Sequence, residues 1–232
     1  MCCFVPRERD IIVDLTHTLD NVVPTWEGTS GFEQLLLEQF EGPDLQFREY
    51  AFTMRAGTGT HIDAPAHGLS DGTTVDNLSL ATLHVPCVVI DVSACADENF
   101  LLSVSEIERF EHLFGNIMPG TLPVIRTGWD LRWFDPDRYR NNLCFPSVSA
   151  EAAEALIKRG VVGLAIDTLS PDLPSSGYPV HKQFFTAGKY LVENVANSSL
   201  MPPVGGYVII LPLKLLQGAE APVRMIGVFQ EN

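Results

Sequence analysis

The chain has 232 residues, 46% apolar and 19% charged, an ordinary globular composition for one domain or two small ones. Fifteen Lys+Arg against 29 Asp+Glu leave a net charge of −14, which argues against a nucleic-acid partner and against docking on an anionic membrane. No stretch approaches the ~20 apolar residues that a membrane span needs.

Residues 1–10 lack the apolar h-region of a signal peptide, so none is visible. The five cysteines form no CxxC pair: Cys2 and Cys3 adjoin, and Cys87, Cys95 and Cys144 stand apart. They read as the reduced thiols of a cytoplasmic protein. Acylation of Cys2-Cys3 lacks the Met-Gly start of a myristoylation signal.

Residues 10–16 read as a first strand, and residues 21–31 as a loop punctuated by Pro24, Gly28 and Gly31. Tyr50, Phe52 and Met54 alternate with Ala51, Thr53 and Arg55, which predicts a strand running into Gly57-Thr-Gly59. From residue 85 the pattern changes. The continuous apolar run 85–90 predicts a strand buried on both faces. Ser103-Val-Ser-Glu106 is a capping box opening a helix with Ile107, Phe110 and Phe114 at helical spacing. A strand over 122–127, a helix over 150–159 stopped by Gly160, and a strand over 161–167 follow. That order implies parallel strands joined by helical crossovers. A short helix over 181–187 ended by Gly188, and strands over 207–213 and 223–229, complete an α/β chain. With no linker or internal repeat, the expectation is a single domain, residues 1–232, with a mixed sheet and βαβ crossovers.

The chemistry concentrates in Gly57-Thr-Gly-Thr-His61-Ile-Asp63-Ala-Pro65-Ala-His67. If the chain stays extended after Gly59, His61 and Asp63 point to one side. An imidazole beside a carboxylate suits Zn²⁺ or Mn²⁺. The same pair also reads as side chains bonded to the backbone of a glycine-rich turn. His181 alone reads as a helix cap or surface residue. Glu193 lies in an otherwise apolar stretch, where a carboxylate needs a cation or strong donors, either a metal or an arginine such as Arg126 or Arg224. Trp26 sits on a Pro/Gly loop, where it either stacks on a planar substrate or packs beneath the loop. Trp129, Trp133 and Phe134 read as packing or interface residues, and His84 and His112 as structural or surface residues. His17 lies near a strand end and approaches the site with no role assigned. No Gly-x-Ser-x-Gly elbow occurs, and Ser170 reads as a turn residue.

Taken together, these residues make the sequence similar to the cyclase family, which includes bacterial kynurenine formamidases and isatin hydrolases. Its core motif, His-x-Gly-Thr-His-x-Asp-x-Pro-x-His, stands here as residues 57–67. The likeness runs over nearly the whole chain. It takes in Asp14-Leu-Thr-His17, Val23-Pro-Thr-Trp26, Arg126-Thr-Gly-Trp129, Ile166-Asp-Thr-Leu-Ser170, His181, Val192-Glu193-Asn194 and Ala221-Pro-Val-Arg224.

The resemblance implies a swivelling β/β/α fold and a homodimer or larger homo-oligomer acting on a small molecule. It implies one or two divalent ions, Zn²⁺ or Mn²⁺, with His61, Asp63, His181 and Glu193 as metal ligands. Asp63 and Glu193 would be the bridging carboxylates, His67 the general acid/base, and Trp26 a wall of the substrate pocket. The implied reaction is hydrolysis of a formamide, amide or lactam C–N bond by metal-activated water. The sequence departs from the motif at one position: the first residue, a metal-binding histidine in kynurenine formamidases, is Gly57. Three consequences stand open. Either one ion is held by the remaining ligands, or another residue fills the gap, for which cationic Arg55 is unsuited, or the protein binds a small molecule or metal without catalysis.

Overall fold

The computed structural model describes residues 10–39 and 47–230, so the Cys2-Cys3 pair lies outside the described residues. In chain order the strands are β1 (Asp10–Asp14), β2 (Phe32–Glu38), β3 (Glu49–Met54), β4 (His61–Asp63), β5 (His84–Asp91), β6 (Leu101–Leu102), β7 (Leu122–Arg126), β8 (Ser147–Val148), β9 (Gly163–Ile166), β10 (Tyr190–Glu193), β11 (Gly206–Pro212) and β12 (Glu220–Gln230). The helices are α1 (Leu80–Leu83), α2 (Val104–Phe114), α3 (Pro136–Arg140), α4 (Ala150–Lys158) and α5 (Pro179–Thr186).

One mixed sheet runs in the order β1-β12-β11-β5-β7-β9-β10-β4, and β4 pairs again with β12, so seven strands close into a barrel-like ring. The length of β12 makes the closure possible. Along one edge its first residues pair with β4 (Glu220 with Asp63) and its last residues with β1 (Gln230 with Asp10). Its other edge carries β11. Closure pairs the edges of the seven-strand ring, which would otherwise expose unpaired backbone groups, and leaves β1 as an edge strand on β12.

Four consecutive members of the ring, β5, β7, β9 and β10, are parallel, and α2, α4 and α5 make the crossovers between them. The run 85–90 explains its own burial. Val85, Cys87 and Val89 face the core enclosed by the ring, while Val88 and Ile90 face the helices. The helix layer packs Ile107 and Phe110 of α2 and Ala152, Ala153 and Leu156 of α4 against that outer face. Local chemistry sets the helix ends. Ser103 and Glu106 form the capping box of α2, and Ser149 accepts a hydrogen bond from the Ala152 N–H at the start of α4. Gly160, at φ +77°, then ends α4 in the left-handed region.

The structure differs from the sequence expectation in a few places. Helix α5 starts two residues before His181, and the final strand begins at Glu220 rather than Val223. Strands β2 and β10 carry no alternation that would announce them. β2 pairs with β3 in a hairpin whose side chains are mostly exposed, so burial never imposed a period of two. β10 is buried throughout, which erases alternation altogether. Phe114 is also partly exposed, at the frayed end of the α2 stripe. A third core under the Trp26 loop gathers Val23, Phe32, Trp129, Trp133, Tyr139, Phe145 and Leu169, so Trp129 and Trp133 are packing residues, whereas Phe134 is exposed.

Candidate active site

Strand β4 is three residues long and lies between β10 and β12. Its register pairs His61 with Glu193 on one side, and Asp63 with Glu220 on the other. Residues paired across strands share a face, and so do residues two apart. His61, Asp63, Glu193 and Glu220 therefore project together, while Ile62 between them is fully buried in the opposite core.

His181 joins them from the first turn of α5. Its Nε2 lies 3.3 Å from Glu193 Oε1 and 3.7 Å from Asp63 Oδ2. Nε2 of His61 lies 3.4 Å from Asp63 Oδ1 and 3.4 Å from Glu193 Oε2. Each carboxylate thus turns one oxygen to each histidine. The other ring nitrogens are held from behind. Nδ1 of His61 is 2.9 Å from the Gly59 carbonyl, and Nδ1 of His181 is 2.8 Å from Asp172 Oδ2. A proton on each Nδ1 leaves both Nε2 lone pairs aimed at the carboxylates, the arrangement found around metal-ligating histidines.

These donors fit a divalent cation. Asp63 Oδ1 and Glu193 Oε1 are buried and have no hydrogen-bond partner, although both residues are about 95% or more buried. Orphaned carboxylate oxygens are costly without a cation. Donor atoms bound tetrahedrally at about 2.0–2.1 Å stand about 3.4 Å apart, close to the spacings here. Without an ion, protons must serve. Burial opposes protonation of His61, but Asp63 and Glu193 outweigh it and push its pKa up to about 10. Burial likewise opposes protonation of His181, which Asp172, Asp63 and Glu193 push up to about 12. For Asp63, burial favours the neutral acid, and the neighbouring histidines prevail to hold the carboxyl below its usual range.

The arginine explanation of Glu193 does not hold. Arg126 lies 2.5 Å from Asp91, and Arg224 lies 2.7 Å from Asp14. The partners of Glu193 are the two histidines.

His67 ends a single 3-10 turn, Pro65–His67, which brings it back toward β4. Its ring centroid is 6.2 Å from that of His181, and its Nδ1 is 3.4 Å from Glu220 Oε1. The cluster forms the floor of a cleft of about 450 Å³, within the size range of small-molecule sites. Trp26, Tyr178 and Phe185 supply aromatic walls, and Ser170 lines the same cleft. Trp26 also packs edge-on against Phe145, at 6.3 Å between centroids, so it serves both the cleft and the core beneath. Arg55 lies at the rim, paired with Glu27. His17 stays outside the cleft: its ring stacks on Trp133 and its backbone N–H donates to Thr60 Oγ1.

Sequence reasoning missed Glu220, Tyr178 and Phe185. Glu220 precedes Ala221-Pro-Val-Arg224 and lies far along the chain from the motif it faces. Only the pairing of β12 with β4 brings it there.

The model of the family described as "Putative cyclase" matches residues 13–173. An isatin hydrolase from Roseibium aggregatum is 31% identical over 186 residues, covering 73% of this chain and 70% of that protein. A kynurenine formamidase from Bacillus cytotoxicus is 29% identical over 221 residues, covering 92% and 95%. Isatin hydrolase A from Ralstonia solanacearum superposes with a TM-score of 0.89 at 30% identity, over 95% of this chain and 92% of that one. The match spans most of the chain and includes the strand bearing His61 and Asp63, and on that evidence the chain belongs to this cyclase family.

Proposed function

We propose that this protein is a metal-dependent hydrolase of a non-peptide C–N bond, in a formamide, amide or lactam. The observation that carries the reading is the convergence of two histidine Nε2 atoms on two buried carboxylates, each with one oxygen that lacks a hydrogen-bond partner. His61, Asp63, His181 and Glu193 hold the cation, Zn²⁺ or Mn²⁺. When bound, a divalent ion supplies Lewis acidity that brings the pKa of a water from roughly 15.7 toward about 7 and polarises a carbonyl.

The chain's own residues do the rest. Trp26, Tyr178 and Phe185 orient a planar substrate over the donor cluster and exclude bulk water. His67, beside the cluster and open to the cleft, takes a proton from the attacking water and delivers it to the leaving nitrogen. Relatives named isatin hydrolase and kynurenine formamidase support a C–N bond next to a carbonyl on an aromatic frame as the target.

The reading extends to a swivelling β/β/α description of the fold, a cytoplasmic location and a homo-oligomer. Among the described residues no helix is long and apolar enough to cross a membrane. The β2–β3 hairpin exposes Leu35, Leu36, Leu37 and Phe52, an apolar surface suited to a second copy.

The test is turnover of N-formylkynurenine, isatin and simple aryl formamides by protein reconstituted with Mn²⁺ or Zn²⁺. Metal-dependent turnover of any one supports the hydrolase. Metal binding with turnover of none would replace it with a binding protein of the same fold.

A further inference from the structure

Position 57 faces the donor cluster, and its glycine lets a neighbouring side chain approach the backbone there. A Cβ added to Gly57 would lie 2.7 Å from Glu220 Oε1 and 3.4 Å from His61 Nε2. The carboxylate of Glu220 occupies the room that a side chain at 57 would need. Donor atoms of His61, Asp63 and Glu220 all lie within 4.8 Å of one another. Asp63 Oδ1, which lies 3.4 Å from His61 Nε2, is a buried oxygen without a hydrogen-bond partner. A third carboxylate beside Asp63 and Glu193 is electrostatically costly unless a cation repays it. His67 does not satisfy Glu220 by a hydrogen bond, since their 3.4 Å separation exceeds the usual N–H···O range.

We infer that Glu220 is a metal ligand of this centre, completing with His61 and Asp63 the set left open by Gly57. The inference rests on the metal-dependent reading above and adds a residue to it. It also fixes the character of the centre. A carboxylate in place of a nitrogen donor makes the set around His61, with Asp63, Glu193 and Glu220, three oxygens to one nitrogen, a balance that favours Mn²⁺ over Zn²⁺ relative to a histidine-richer site.

The experiment is equilibrium Mn²⁺ binding, followed by the electron paramagnetic resonance signal of the free ion, with Zn²⁺ as competitor. Wild type, Glu220→Gln and the double variant Gly57→His/Glu220→Gly are compared, with circular dichroism confirming the fold of each. Even residues behind metal ligands cost about 10–100-fold in affinity when changed. Glu220→Gln is therefore expected to weaken Mn²⁺ binding by at least about tenfold. The double variant is expected to regain binding and shift the preference toward Zn²⁺ by at least about tenfold, a readout that stands even if Glu220→Gln does not fold. Mn²⁺ affinity in Glu220→Gln within about threefold of wild type, or an unshifted preference in the double variant, would overturn this role and leave the hydrolase reading intact. Wild-type protein that binds neither ion would overturn both.

Discussion

Asp172 holds His181 from two directions: Oδ2 accepts hydrogen bonds from the ring Nδ1 at 2.8 Å and from the backbone N–H at 2.9 Å. Its other oxygen accepts from the Val180 N–H at 3.1 Å, so one buried carboxylate both caps the start of α5 and orients a side chain of the candidate site. The helix and the donor it carries are fixed by the same group.

Asp172→Asn removes the charge behind His181 and leaves one oxygen to accept. Metal affinity is expected to fall by about 10–100-fold while the secondary structure persists. Titration calorimetry with Mn²⁺ checks this, and an unchanged affinity would contradict the orienting role.

His67→Ala is expected to lower kcat by about 10²–10⁴-fold, the usual worth of a positioned acid/base. The side chain is 38% exposed, so stability should change by no more than about 0.5 kcal/mol. Metal content separates the possible roles, because His67 also lies within reach of Asp63 and His181 as a donor. Retained metal with lost turnover fits proton transfer; lost metal would make His67 a ligand instead.

Metal binding should stabilise the fold, because it satisfies oxygens of Asp63 and Glu193 that are otherwise orphaned. Free metal at about 100 times Kd contributes about 2.7 kcal/mol. For a chain of this size that corresponds to a rise in Tm of about 5–11 °C. Calorimetry before and after chelation measures it, and a Tm indifferent to Mn²⁺ and Zn²⁺ would count against the centre.

His17 governs part of the acid limb of stability. Burial, against the opposing charge of Asp14, lowers its pKa to about 4, and its ring stacks on Trp133 at 3.8 Å. The unfolded chain takes up this proton near pH 6.5, and the folded chain resists it until about pH 4. The stability that depends on neutral His17 is therefore complete above pH 6.5 and is lost as pH falls toward 4, by at most about 1.4 kcal/mol per pH unit. His17→Phe keeps the stack and should flatten the stability curve in that window. Denaturant unfolding at several pH values tests it; an equal slope in both proteins would exclude His17 as the source.

Much of the scaffold was legible because its signals are local. The capping box at Ser103, the glycine stop at Gly160 and the apolar run at 85–90 each encode structure through neighbours a few residues away. His61 and Asp63 were legible as a pair for the same reason, since an extended chain puts residues two apart on one face. His181 and Glu193 came into view only through the resemblance to the cyclase family, and Glu220 not at all. Glu193, His181 and Glu220 come from separate elements, and no short spacing links them to the motif.

The sequence by itself determined the α/β order of elements and named most of the donors. Tertiary structure decided which groups stand beside each donor. Closure of the ring through β12 put Glu220 opposite Asp63, and the pairing of β10 with β4 put Glu193 opposite His61. Arg126 and Arg224, equally available to Glu193 on paper, were drawn to Asp91 and Asp14. The physical reason is that strand register and loop closure act between residues far apart in the chain, and so does the cost of burying a carboxylate without a cation. None of these is expressed in the neighbours of any one residue.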